Sequence, residues 1–257
     1  MRKELRIFFT AVMFLTRLPV PRNTDHSDGY LQKAPRYFPV VGWIVGGCCA
    51  LVFWLFRRVV SMEIAVLASM VTGMLVTGCF HEDGFADVCD GMGGGWTKEK
   101  ILLIMKDSRI GAYGAIGLIM ILLGKFLLLK GVASCFLPVS LAAHTISRLM
   151  PVLVMKTGVY AADPAQSKAK PLAGPGISIR TLLTALLLTL PPLLLPFFTH
   201  HPLIYAVILA PPLLVTFLLY RWFFKWIGGY TGDCLGSIQQ VTEIVIYFGC
   251  NLVWIYL

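Results

Sequence analysis

Long apolar runs, each close to the length that crosses a bilayer, recur along this chain and leave few folds open to it. A spanning helix needs about 20 predominantly apolar residues. The first clear run covers 37–56 and is closed by Arg57 and Arg58. Others cover 64–80, 110–129, 133–155, 179–198, 203–224 and 237–257. Within lipid the backbone must satisfy its own polar groups, so these runs predict helices. The expected fold is all-α: a polytopic transmembrane helix bundle of about seven spans, forming one membrane domain over 1–257. Residues 5–18 are apolar but share their helix with Arg6 and Arg17, which suits an interfacial helix as well as a span. That segment runs into Pro19 with no small-residue cleavage site, so no removable leader is expected. The pairs Pro191-Pro192 and Pro211-Pro212 predict kinks that neighbouring helices can absorb.

Composition agrees with lipid as the solvent, since 57% of the residues are apolar and only 14% charged. A soluble domain carries roughly 45–50% apolar and about 25% charged residues. A formal net charge of +9 would ordinarily raise nucleic-acid binding. Here the basic residues lie between apolar runs, so a lipid membrane is the expected partner and nucleic acid is not. Threading the runs back and forth places 22–36, 81–109, 156–180 and 221–236 on one side. That side collects most of the Lys and Arg; the other holds only Arg57, Arg58, Lys125 and Lys130. The positive-inside rule makes the basic side cytoplasmic. None of the seven cysteines forms a CxxC pair, so they are expected to be small apolar fillers rather than a disulfide framework or zinc site.

The chemistry concentrates on that basic side. In His81-Glu82-Asp83-Gly84-Phe85-Ala86-Asp87-Val88-Cys89-Asp90-Gly91, the residues Asp83, Asp87 and Asp90 are spaced i, i+4, i+7. On a helix they share one face within about 60°. Like charges on one stripe repel unless a cation compensates, and hard oxygen ligands suit Mg²⁺. A solvated acidic helix start is the plain alternative, because carboxylates favour helix N-termini. Four of the chain's 13 acidic residues lie in this short segment at the end of an apolar run, which favours the metal reading. Glu82 points off the stripe, and His81 reads as a structural or hydrogen-bonding residue.

Three further groups qualify. Lys106-Asp107-Ser108-Arg109 offers a point charge and a planar fork, both suited to phosphate oxygens; Asp107 could join the metal or hold Arg109. In Gly228-Gly229-Tyr230-Thr231-Gly232-Asp233, Asp233 could complete a metal site, free N–H groups could receive an anion, and Tyr230 is a candidate substrate contact. A flexible linker with one solvated carboxylate is the alternative there. Arg148 sits within an apolar run, where ionisable residues are rarely lipid-facing, so it is expected to face the bundle interior beside a carboxylate or phosphate. Lys168 and Lys170 either flank a substrate or are merely cytoplasmic charge. Lys125 is expected to snorkel.

Carboxylates, basic residues and glycine turns at one membrane face fit phosphoryl transfer, which needs charge neutralisation and in-line positioning more than a covalent nucleophile. HEDGFADVCDG, KDSRIGAYG and GGYTGDCLGS, with the early FLTRLPVP (Phe14–Pro21) and the loop SKAKPLA (Ser167–Ala173), resemble the cobalamin synthase family. The resemblance runs in order over nearly the whole chain. It implies a multispan enzyme of the bacterial cytoplasmic membrane, with its site facing the cytoplasm and Mg²⁺ as cofactor. The implied activity is that of an adenosylcobinamide-GDP ribazoletransferase. Adenosylcobinamide-GDP and α-ribazole, or its 5′-phosphate, would be joined with release of GMP. Carried onto this chain, Glu82, Asp83, Asp87 and Asp90 match the acidic motif, Lys106, Asp107, Ser108 and Arg109 the second motif, and Asp233 the C-terminal one. Asp233 and the acidic-motif carboxylates are thereby expected as metal ligands, Asp83, Asp87, Asp90 and Arg109 as catalytic groups, and Lys106, Ser108, Arg109, Arg148, Lys168, Lys170 and Tyr230 as substrate contacts. A homo-oligomer is compatible with the sequence. Two alternatives remain. Asp87-Val88-Cys89-Asp90-Gly91 also opens the CDP-alcohol phosphotransferase signature, but its later GxxxDxxxD is missing. A cation transporter would also place carboxylates in helices, though nearer the midplane.

Overall fold

The structure, a computed structural model, describes residues 3–25, 27–161, 176–195 and 203–256. Among these residues every regular element is a helix; β pairing is confined to one isolated bridge between Tyr160 and Tyr230. The principal helices are α1 (Lys3–Leu15), α2 (Phe38–Phe56), α3 (Met62–Thr77), α4 (Phe80–Gly94) and α5 (Lys98–Met105). They continue as α6 (Ala112–Gly131), α7 (Phe136–Thr157), α8 (Ile179–Leu193), α9 (Leu203–Ile227) and α10 (Gly232–Tyr256). Helix starts follow the sequence where a hydroxyl is available: Ser61 accepts from Ile64 N, Thr97 from Lys100 N and Ser178 from Thr181 N. Each satisfies a donor that the first helical turn leaves open.

Four helical stretches are long and apolar enough to cross a membrane: Ala34–Phe56, Ala112–Gly131, Ala133–Thr157 and Ile204–Ile227. The pair α3 and α4 counts as a fifth if taken as one broken span, bent by 89°. The chain is therefore a helical membrane protein, with four or five such spans by length and composition against the expected seven. The difference has two sources. Helix α8 has only 15 residues, and residues 196–198 of its apolar run lie outside the described residues. Helix α10 has 25 residues, about 38 Å of helix, and is not among these spans. It is the central helix instead, packed against α4, α6, α7 and α9. Every residue from Cys234 to Gln240 is buried, so protein rather than lipid surrounds that stretch.

The expected polar loop 81–109 is mostly helical, holding α4 and α5. The sharp corner before it has a local cause. Gly78 (φ 66°) and Cys79 (φ 57°) are both left-handed, one ending α3 and the next starting α4. A side chain at 78 would collide with Arg17 of the FLTRLPVP stretch, and Arg17 N donates to Val76 O at 2.7 Å. Helix α1, 13 residues long, is too short to span and lies with Ile7, Ala11 and Leu15 buried. Glu4 holds it down by accepting from Arg36 and Tyr37.

The loops sort to two ends as the threading requires. At one end, Tyr230 N donates to Val159 O and Ala161 N to Tyr230 O, both at 2.9 Å. Asp233 lies against α4 at that same end. At the other, Lys130 pairs with Glu63 at 2.7 Å and Asn251 donates to Leu128 O.

Candidate active site

Helix α4 carries the acidic motif. The i, i+4, i+7 stripe is realised, but its environment changes along the helix: Asp83 is exposed, Asp87 half-buried and Asp90 buried. The change comes from α6, whose N-terminal turn covers the end of the stripe. Asp90 accepts from Gly111 N at 2.7 Å and from Gly114 N at 2.8 Å. Both carboxylate oxygens are thus used on the open donors of a helix start, where negative charge also meets the positive end of the helix dipole. The structure places Asp90 as an anchor between α4 and the loop after Arg109, rather than as an open ligand. Asp90→Ala is expected to lower the unfolding free energy by about 2 kcal/mol, read as a lower thermal midpoint in detergent. Asp90→Asn should lose less, because one acceptor oxygen remains.

Glu82 points into the bundle. Its Oε1 accepts from Gln240 Nε2 at 3.1 Å, and its Oε2 is buried without a partner. His81 is buried, with its ring edge-on to Phe80 at 5.4 Å. One turn further along α4, Gly84 faces the start of α10: a Cβ there would lie 3.0 Å from Asp233 Cα. Only glycine lets the two backbones approach so closely. The approach sets Asp233 beside the segment that carries Asp83 and Asp87, so two motifs 150 positions apart in sequence share one surface.

The KDSR segment lies between α5 and α6. Arg109 and Asp107 grip each other, with Nη2 at 2.6 Å from Oδ2 and Nε at 3.0 Å from Oδ1. Arg109 holds the Asp107 carboxyl down to about 2, so the pair stays ionised at any physiological pH. The Arg109 side chain remains 87% exposed, with its fork open to an incoming anion. Lys106 and Ser108 are also exposed. Tyr230, expected as a substrate contact, is 1% exposed. It is a packing residue whose ring meets Tyr160 edge-on at 5.4 Å, and burial pushes its phenol up to about 12. Lys168 and Lys170 lie outside the described residues.

Behind the acidic helix is a polar centre that sequence reasoning largely missed. Lys125, expected to snorkel, is instead 5% exposed and pairs with Glu243 at 3.1 Å. Its Nζ also donates to Gln240 Oε1 at 2.6 Å. Glu243 further receives Gln239 Nε2 at 2.5 Å and the Tyr247 hydroxyl at 3.2 Å, with His144 Nδ1 at 3.4 Å. Arg148 faces inward as expected, 2% exposed, with Nη1 on His144 O at 3.0 Å. A snorkelling lysine needs a route to an interface, and Lys125 lies midway along α6 facing α10. The signal was available in Gln239, Gln240 and Glu243, which interrupt the last apolar run.

Among the described residues no group of three or more His, Cys, Asp or Glu is gathered tightly enough to hold a metal by itself. Mg²⁺ commonly takes only one or two carboxylates, completing its shell with water and substrate phosphate. Asp83, Asp87 and Asp233 offer the hard oxygen donors that this requires.

The fold and this face define a helical membrane protein with carboxylates and phosphate-type cations at one end of its bundle. The chain belongs to the cobalamin-5-phosphate synthase family, whose model matches residues 7–251. It is 42% identical over 253 residues to an adenosylcobinamide-GDP ribazoletransferase of Vibrio cholerae, covering 96% of this chain and 94% of that one. A Shewanella oneidensis protein of the same name is 44% identical with the same coverage. One from Leptospira interrogans is 39% identical over 273 residues, covering 99% and 98% of the two chains. No solved structure matches.

Proposed function

We propose that this chain transfers the cobinamide phosphate of adenosylcobinamide-GDP to α-ribazole or its 5′-phosphate, releasing GMP, with Mg²⁺ as cofactor and its site on the cytoplasmic side of the inner membrane. The observation that carries this reading is the close approach of Asp233 to Gly84, which joins two acidic motifs on the basic end of the bundle. Near full-length likeness to ribazoletransferases supplies the substrates. Asp83, Asp87 and Asp233 would hold Mg²⁺, which draws charge off the diphosphate when bound.

The chain's own groups do the rest. The ribose 3′-hydroxyl of α-ribazole attacks the phosphorus that bears the cobinamide, and the bond from that phosphorus to the bridging oxygen of GMP breaks. Its proton passes to a carboxylate of the α4 face. Glu82 is held by Gln240 and Asp90 by Gly111 and Gly114; Asp83 and Asp87 lie on the more exposed part of the face and are the carboxylates proposed for this role. Lys106 and Arg109 hold the phosphate of the departing GMP. Asp107 keeps the Arg109 fork in place without cancelling its exposed N–H groups.

The direct test is release of GMP by purified protein given Mg²⁺, adenosylcobinamide-GDP and α-ribazole. GMP release that ignores the ribazole acceptor, or none at all, overturns the reading. Arg109→Lys is expected to lower kcat as well as raise KM, by about tenfold in kcat/KM, because a point charge cannot replace the fork. With a chiral phosphorus, direct attack inverts configuration. Retention would reveal a phosphorylated intermediate, with His81 as the candidate nucleophile.

A further inference from the structure

We infer that a cavity between α1, α2, α4, α7 and α10 is the subsite for the benzimidazole base of the acceptor nucleoside. This rests on the activity proposed above and goes beyond it by placing one substrate part on residues that no motif had marked. The walls are apolar and largely aromatic: Phe14, Phe38, Phe80, Pro151 and Leu235. Phe14 lies parallel to Phe38 with ring centres 6.0 Å apart, and edge-on to Phe80 at 5.5 Å. The floor is polar, formed by His81, Arg148 and Gln239. The enclosed space is about 40 Å³ and reaches about 430 Å³ only with its open mouth counted.

Two features select the occupant. Arg148 is almost fully buried, yet its Nε has no hydrogen-bond partner. A buried donor left unmet is unfavourable, so an acceptor that reaches it from the cavity is favoured. The walls, by contrast, offer a flat ligand faces and edges to pack against but almost nothing to hydrogen-bond. The base of α-ribazole is a flat bicycle whose edge carries two methyl groups and one unprotonated ring nitrogen, an apolar plate with a single acceptor. Guanine fits poorly, because its edge carries several donors and acceptors that these phenylalanines would strand. The corrin macrocycle is too broad for the space.

Position agrees with chemistry. Gly232 and Gly236, which flank Asp233 on α10, line the cavity, as do Phe80 and His81 at the start of the acidic helix. A base seated there holds its ribose toward the carboxylates, where a hydroxyl must be delivered. The cavity also gives Phe14, the first residue of FLTRLPVP, a direct role in recognition.

The test uses the full-length protein in lipid nanodiscs. Labelled α-ribazole should bind in equilibrium dialysis without the second substrate, and free 5,6-dimethylbenzimidazole should displace it while guanine does not. Phe80 is 43% exposed, so Phe80→Ala should fold. It is expected to weaken α-ribazole binding, and to raise KM for α-ribazole, by about tenfold while KM for adenosylcobinamide-GDP holds. Arg148→Met should weaken binding similarly if it folds. Should Phe80→Ala raise KM for adenosylcobinamide-GDP instead, the cavity holds the donor's guanine and the inference falls. Unchanged constants for both substrates would make the cavity a packing feature and also overturn it. Failure of the wild type to release GMP would refute the proposed activity, whereas dialysis judges the base subsite independently of turnover.

Discussion

Asp83→Asn and Asp87→Asn are each expected to cut kcat/KM for GMP release by at least about 100-fold, even at saturating Mg²⁺. An amide presents a neutral oxygen where the cation and the attacking hydroxyl both need an anionic one. Neither change should harm the fold. Asp83 is exposed and Asp87 half-buried on the same helix face, and removing one of two like charges at i, i+4 relieves a few tenths of a kcal/mol. Thermal unfolding beside the kinetic assay separates the two effects. Near wild-type turnover in either variant would remove that residue from the site.

The second large effect is on stability. Lys125→Met is expected to destabilise the protein by about 3–5 kcal/mol, because it leaves Glu243 charged, 3% exposed and without its lysine. Glu243→Gln should do comparable harm by stranding Lys125. The double variant should recover much of the loss, since neither charge then remains to be compensated. Unfolding midpoints in one detergent, measured for the four proteins, give the coupling directly. Additive losses would mean that the pair contributes nothing as a pair.

Much of the architecture could be read from the chain, and the reasons differ by element. The apolar runs at 37–56, 110–129, 133–155 and 203–224 became helices long enough to cross lipid, because nothing else satisfies a backbone there. The threading brought Asp233 and the acidic motif to one end, since alternate crossings leave little freedom in where loops emerge. The i, i+4, i+7 spacing gave a shared helix face. What that face meets was not legible: Asp90 is held by backbone N–H groups 21 and 24 residues on, and no side-chain pattern announces a backbone donor. Tyr230 looked like a ligand contact because it sits among glycines, but those glycines let the strand-like segment at 159–161 close over it. Lys125 was misread because its partner lies on another helix. A lone charge in an apolar run has two physical outcomes, reaching water or finding a counter-charge, and only Glu243 decides between them.

Helix α10 carries a consequence for how the molecule is held together. Its middle holds Gln239, Gln240 and Glu243, all buried against neighbours, and charged or amide groups enter a bilayer reluctantly when alone. Their partners Lys125, His144 and Ser147 belong to other helices. Helix α10 is therefore held by docking against its neighbours more than by partitioning into lipid. Without α10, Lys125 and His144 would face an empty seam, so α10 and the helices around it stand or fall together.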